Sequence, residues 1–380
     1  MPRLRAGAQN LALLAGALSI ALLLAEAGTR LFTDIQPPIS RRHPVVGRTY
    51  RPHYVGVRHV SESGHEVRLR FDRDGFRGPD RPYERPAGVR RLALIGDSIV
   101  AAIGCQEEDT AAAVLERLLR ASQPEVRWEV LNFGVSGSST GQELVLWREL
   151  ASRYHPDLVV VGYFAGNDFA DNSRRLTQSP RIYFRLDDAG RLEQLPLATV
   201  RKRASAWLDE HSRLYVLQKY AKDLLKQRTF DALRPLESGA QIFRVDDGGE
   251  LAGDWALNLK LIEEFRDDVE RRGTPFALAL FPCGAQVDPE VWKRLLERAG
   301  ALAPALDAEH PERRIAAFCA EHGIPLIPML EEFRRAPRET PLFFQGDGHF
   351  SEAGNRLAAE AIHAFLTTGA GRQLLRRAQL

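Results

Sequence analysis

Cysteine is scarce in this 380-residue chain: Cys105, Cys283 and Cys319 are all there is, too few for a disulfide framework. Cys283 follows an apolar run and either faces a cleft edge or is a partly buried free thiol, the plainer reading. An excess of one charge is also missing. The 52 Lys and Arg against 50 Asp and Glu leave a formal net charge of +2, which gives no footing for nucleic-acid binding. The 10 histidines include no pair on one helix face with an acid between them, so no metal site is called for. His53, His59 and His65 lie in an arginine-rich stretch and read as exposed. A glycine-rich turn after the first strand is absent too: Gly96-Asp97-Ser98-Ile99-Val100 cannot cradle a dinucleotide, and no cofactor is implied.

What is present is an alternation of buried strands and amphipathic helices. Continuous apolar runs at Arg91 to Gly96, Val126 to Phe133, Asp157 to Tyr163, Phe276 to Phe281 and Pro325 to Pro328 predict five strands buried on both faces. Helical spacing covers Glu108 to Ala121, Gln142 to Tyr154, Asp254 to Arg272, Pro289 to Ala299 and Pro311 to His322. A last helix runs to about Phe365, with Ser351 as its N-cap. Such alternation implies a parallel sheet with right-handed crossovers, hence an α/β fold: a three-layer αβα sandwich with a five-stranded parallel sheet.

Four short patches stand at strand ends or in a final loop: Gly96-Asp97-Ser98, Asn132 to Gly137, Gly166-Asn167-Asp168 and Asp347-Gly348-His349. In a parallel sheet all strand C-termini share one edge, where ligands bind. A serine hydroxyl needs a base to become a nucleophile, and a histidine titrates near working pH. Ser98 is therefore the candidate nucleophile, His349 the base and Asp347 the group that orients the imidazole. Backbone N–H groups at Ser98 and Gly137 with the Asn167 amide are candidate donors to an oxyanion, and glycine at 137 permits close approach. Each patch alone is made of ordinary turn residues; His349 equally fits a surface loop before a capped helix. The conjunction in this order carries the signal.

In these four blocks the chain resembles the SGNH, or GDSL-type, hydrolase family, and more particularly its membrane-anchored bacterial branch. The resemblance implies Ser98, Gly137, Asn167 and His349 in the family's four roles, a flavodoxin-like strand order and no cofactor. It extends to Gly104 and Glu108 and covers residues 91 to about 168 and about 276 to 365. Two departures stand out. The common family ending is Asp-x-x-His, whereas position 346 is glycine and the acid is Asp347, two before His349, as in branches resembling alginate O-acetyltransferases. Ala102 stands where many members have glycine.

The N-terminus bears on location. Leu11 to Ala25 is free of charge and follows Arg3 and Arg5, so it reads as a membrane anchor, with a signal peptide cleaved near Ala25-Glu26-Ala27 as the alternative. Arg3 and Arg5 favour a cytoplasmic N-terminus, although Arg30, Arg41 and Arg42 blunt that argument. The expected location is the cytoplasmic membrane, single-pass, with the catalytic part outside. The expected organisation is a tail and anchor or signal (1–33), an Arg/Pro-rich linker (34–90), a first SGNH part (91–170), a helical insertion (171–253), a second SGNH part (254–368) and a C-terminal tail (369–380). Within the linker, Phe71 to Phe76 looks like a turn packing two aromatics on the fold. The insertion holds one amphipathic helix, Ala204 to Gln227, that either roofs the cleft or packs on the flank.

Three functional classes follow. The leading one is a serine esterase acting on an acylated small molecule or an envelope or extracellular glycan. The second moves the acyl group to a glycan hydroxyl, and a lipid or thioester substrate also fits an amphipathic insertion beside an anchor. A non-catalytic scaffold is disfavoured by the intact Ser, Asn and His.

Overall fold

A computed structural model of the chain describes residues 2–33, 35, 38–60, 65–177, 181–196, 203–230, 238–245, 249–337, 339–344 and 348–377. The chain divides into two compact units, residues 1–41 with 199–234, and residues 42–198 with 235–380.

The first unit is helical. The helix Pro2–Phe32 contains a segment, Asn10–Phe32, long and apolar enough to cross a membrane; a signal sequence meets the same description. Leu13, Leu14, Leu23 and Leu24 on it are exposed, as a helix meant for a lipid or translocon environment would have them. The expected single helix 204–227 is two helices, Arg203–His211 and Arg213–Phe230. The break falls at Ser212, whose Oγ accepts the Tyr215 N–H at 3.1 Å and caps the second helix. Glu26 reinforces that cap: its carboxylate accepts from Ser212 Oγ at 2.8 Å and from the Arg213 and Leu214 N–H groups at 2.9 and 3.0 Å. The stretch 171–253 is divided between the two units. Residues 199–234 group with the N-terminal helix, and the rest of that stretch belongs to the sheet-containing unit.

In the second unit, β1 (Ser40–His43) starts at the boundary, followed by β2 (Gly47–Tyr50) and the antiparallel pair β3 (Val55–Val60) and β4 (His65–Arg70). The central sheet is built from β5 (Val89–Gly96), β6 (Arg127–Gly134) and β7 (Leu158–Phe164). A small antiparallel pair, β8 (Phe184–Leu186) and β9 (Leu192–Gln194), precedes its last two strands, β10 (Phe276–Phe281) and β11 (Leu326–Pro328). The order across the sheet is β11-β10-β7-β5-β6, all parallel. Counting the five central strands in chain order, this is the flavodoxin-like order 2-1-3-4-5.

Side chains alternate across the sheet. Leu92, Leu94 and Val160 pack with the helices Ala111–Ser122 and Glu352–Thr367, while Ala93, Ile95 and Val161 pack with Thr140–Glu149 and Ala252–Arg271. Both faces are covered, which is why the strands read as unbroken apolar runs. The helix expected over 142–154 ends at Glu149, and a 3-10 turn, Ala151–Tyr154, takes the chain to a left-handed His155.

Residues 42–90, expected as a linker, belong to this unit. Tyr50 stacks on Phe71 at 4.3 Å between ring centroids, and Phe76 meets Phe133 of β6 edge-on at 4.7 Å. Asp72 Oδ1 accepts the N–H groups of Asp74 and Phe76 at 2.9 and 2.8 Å, fixing the turn between the two aromatics. The buried Arg77 donates to the carbonyl oxygens of Ala102 and Cys105, tying this segment to the loop after β5.

Candidate active site

Strand β5 delivers the chain to the carboxyl edge of the sheet and stops there because Asp97 opens a helix. Its Oδ1 accepts the Ile99 N–H at 2.8 Å, capping the single turn Ser98–Ala101. Burial raises the Asp97 carboxyl, while the Ile99 amide and the charge of His349 pull it down. The turn ends at Ala102, left-handed at φ 44°, the position at which many SGNH-type sequences have glycine. Gly134, closing β6, lies so near this turn that a Cβ there would sit 2.1 Å from the Ala101 nitrogen. Only glycine lets the two strand ends approach in this way.

The second patch turns directly after β6. Val135 N–H and Ser138 Oγ both reach the Gly96 carbonyl, at 3.0 and 3.2 Å, so this turn is fastened to the end of β5, the strand that leads to Ser98. Gly137 takes φ 75°, a conformation that a side chain disfavours. From the other side Tyr50 supports the turn: its hydroxyl lies 2.6 Å from Ser136 Oγ and accepts the Ser136 N–H at 3.0 Å.

His349 arrives from the far end of the sequence. Its carbonyl oxygen accepts the Phe344 N–H at 2.8 Å. The next residue, Phe350, is buried against Phe281 and Phe333, and Ser351 caps the helix Glu352–Thr367 through the Gly354 N–H at 3.2 Å. Anchored on both sides, the imidazole presents Nε2 to Ser98 Oγ at 2.9 Å, although 251 residues separate the two. Asp347 lies outside the described residues.

Ser98, Gly137 and His349 line one cleft of about 350 Å³, together with Gly104, Arg48 and Arg58. Asn167 stands one layer back. Its Nδ2 donates to Asp171 at 3.1 Å, and its side chain helps to lower the carboxyl of Asp97, the residue before Ser98. Asp171 is held in turn by Arg181 at 2.6 Å. Cys283 is buried at the start of the short helix Gly284–Val287 and is not among the residues lining the cleft. Burial pushes its thiol up to about 11, which suits an inert packing group.

Sequence reasoning missed Tyr50, Arg48 and Arg58, because the segment that carries them reads as a solvated arginine-rich stretch. Arg48 and Arg58 form no ion pair among the described residues and bring positive charge to the cleft wall; Arg48 instead approaches the Ser136 carbonyl at 3.4 Å. That field suits a reaction in which negative charge develops on oxygen.

The structure is thus an α/β fold with a serine and a histidine paired at the carboxyl edge of its central sheet. The family model described as SGNH hydrolase-like domain, acetyltransferase AlgX, matches residues 246–379. The matched stretch is similar to an SGNH hydrolase-like domain and includes His349, whereas Ser98, Gly137 and Asn167 lie outside it. No curated protein matches the chain. Similar solved structures include a lipase/acylhydrolase from Enterococcus faecalis, 14% identical over 73% of this chain and 95% of that one, TM-score 0.39. An acetyl xylan esterase, AlAXEase, is 13% identical over 72% and 98%, TM-score 0.39. A GDSL-like lipase from Bacteroides thetaiotaomicron is 10% identical over 76% and 88%, TM-score 0.35.

Proposed function

We propose that the chain is a serine esterase that removes an O-acyl group, in particular acetyl, from a glycan outside the cytoplasmic membrane. The observation that carries this reading is the 2.9 Å contact between Ser98 Oγ and His349 Nε2 inside the cleft. His349 takes the Ser98 proton as Oγ attacks the ester carbonyl, and Asp347 orients the imidazole from two residues upstream. The carbonyl oxygen becomes an oxyanion facing the backbone N–H groups of Ser98 and Gly137, and the Asn167 amide joins them by turning from Asp171. Collapse of that intermediate breaks the ester bond. The leaving hydroxyl takes the proton from His349, and the acyl group stays on Ser98. Water, deprotonated by His349, then attacks the acyl-serine and regenerates the hydroxyl.

A second reading replaces that water by a sugar hydroxyl, giving an O-acyltransferase on the same groups; the acetyltransferase in the matching family's description favours it. The apolar N-terminal helix supports a membrane-bound or exported chain. The test is fluorophosphonate labelling together with hydrolysis of p-nitrophenyl acetate and of acetylated sugars, with mass detection of both released and transferred acetyl. Ser98→Ala abolishes labelling and turnover. His349→Ala loses nearly as much, since residues acting as one unit are not additive. Asp347→Asn is the gentler perturbation. Full activity in Ser98→Ala removes serine from the mechanism.

A further inference from the structure

The helix Thr140–Glu149 sends one carboxyl group beneath the loops that carry Ser98 and Gly137. Glu143 is fully buried, and its Oε1 lies 2.8 Å from Ser138 Oγ. Ser138 Oγ lies 3.2 Å from the Gly96 carbonyl oxygen, which also accepts the Val135 N–H. A carbonyl has no hydrogen to give and a serine hydroxyl has one. Were Glu143 ionised, Ser138 would have to donate twice to satisfy both contacts. A neutral carboxyl removes the conflict: Glu143 O–H donates to Ser138 Oγ, and Ser138 O–H donates to Gly96.

The surroundings favour the same proton. The charged and titratable groups facing Glu143 are Asp97 after β5, Asp168 and Asp171 on the helix Asp168–Asp171, and Tyr163 on β7. None of these is a cation, and Asp171 is already paired with Arg181. No Lys or Arg among the described residues bonds to Glu143. Its Oε2, like Asp168 Oδ1, is buried without a partner. Burial first, and then the proximity of Asp97, push the Glu143 carboxyl well above the usual carboxylate range.

We propose that Glu143 is a neutral carboxylic acid that donates to Ser138 and thereby bolts the Gly137 turn to the strand end bearing Ser98, which makes it a positioning residue for the two backbone oxyanion donors. The positioning role rests on the esterase reading given above; the proton on Glu143 does not.

Infrared difference spectroscopy of the full chain at neutral pH tests the proton directly. A protonated carboxyl C=O band, lying above the amide I envelope and shifting in D2O, is expected in the wild type and missing from Glu143→Gln. A wild type without such a band, or a band that survives the substitution, overturns the assignment. Kinetics on p-nitrophenyl acetate test the positioning. Glu143→Gln, whose amide can also donate, keeps kcat within about twofold, whereas Glu143→Leu loses about tenfold in kcat at little-changed KM. Ser138→Ala breaks the same bridge at its other end and gives the same loss, so a Glu143→Leu chain that fails to fold does not end the test. Equal kcat in the Gln, Leu and Ala variants overturns the positioning role. A wild type without esterase or transferase activity sinks the functional reading instead, and the infrared result still decides the proton.

Discussion

Tyr50→Phe tests whether the segment before the sheet helps to build the site. The substitution keeps the ring, its burial and its stacking on Phe71, and removes a single oxygen. That oxygen accepts the Ser136 N–H at 3.0 Å and bonds Ser136 Oγ at 2.6 Å. A net hydrogen bond is worth about 1 kcal/mol, and a buried donor left without a partner costs about 1–3 kcal/mol. Ser136 is only partly buried, so its N–H recovers some solvation, and the expected loss of stability is about 2 kcal/mol. In a unit of about 300 residues that lowers Tm by roughly 3 °C. Ser136 immediately precedes Gly137, whose N–H is a proposed oxyanion donor. Outright removal of such a donor costs roughly 100-fold or more in kcat. Loosening it costs less, about tenfold, with KM little changed because the ground-state ester makes the weaker bond. Thermal unfolding and p-nitrophenyl acetate kinetics read both quantities. A lowered Tm with kcat intact would refute the idea that this hydroxyl positions the Gly137 turn; no change in either would show that the two bonds contribute nothing.

Two further outcomes are expected. Ala102→Gly should leave the unfolding free energy within about 0.5 kcal/mol of the wild type, because relief of a left-handed alanine, about 1 kcal/mol, offsets the added freedom of the unfolded chain. Gly134→Ala should lose several times more, because its Cβ would meet the Ala101 nitrogen; denaturant titration of the pair checks both, and a large loss in Ala102→Gly would contradict the strain. Burial raises the Glu312 carboxyl to about 7 from 4.5, so the folded chain holds a proton there that the unfolded chain has already released. Its contribution is full below pH 4.5 and is lost as pH rises to about 7, a fall of roughly 3 kcal/mol. Glu312→Gln should reduce that slope in urea titrations at several pH values. A residual slope remains from Asp72, raised to about 6 by its own burial, and from Asp97, Glu143 and Asp168, which burial also raises. An unchanged slope in Glu312→Gln would show that this carboxyl is not the group responsible.

Periodicity alone located the five central strands to within two residues, because strands covered on both faces must be apolar without interruption. Chain order placed Ser98, Gly137 and Asn167 on one sheet edge, because parallel strands share their ends. The resemblance supplied the strand order, and its four blocks singled out His349. What the sequence could not disclose is what folds back. Tyr50, Arg48 and Arg58 sit in a short-stranded, charge-rich segment whose role exists only because it lies against β6 and the cleft. The break at Ser212 depends on a cap shared with Glu26, 186 residues away. Glu143 reads as an ordinary polar position on an amphipathic helix, and only burial beneath two loops gives it a proton to hold. Local pattern reports how each segment hides its own apolar surface. The charge state and partner of a polar group depend on the groups that tertiary folding brings against it, and these come from distant parts of the chain.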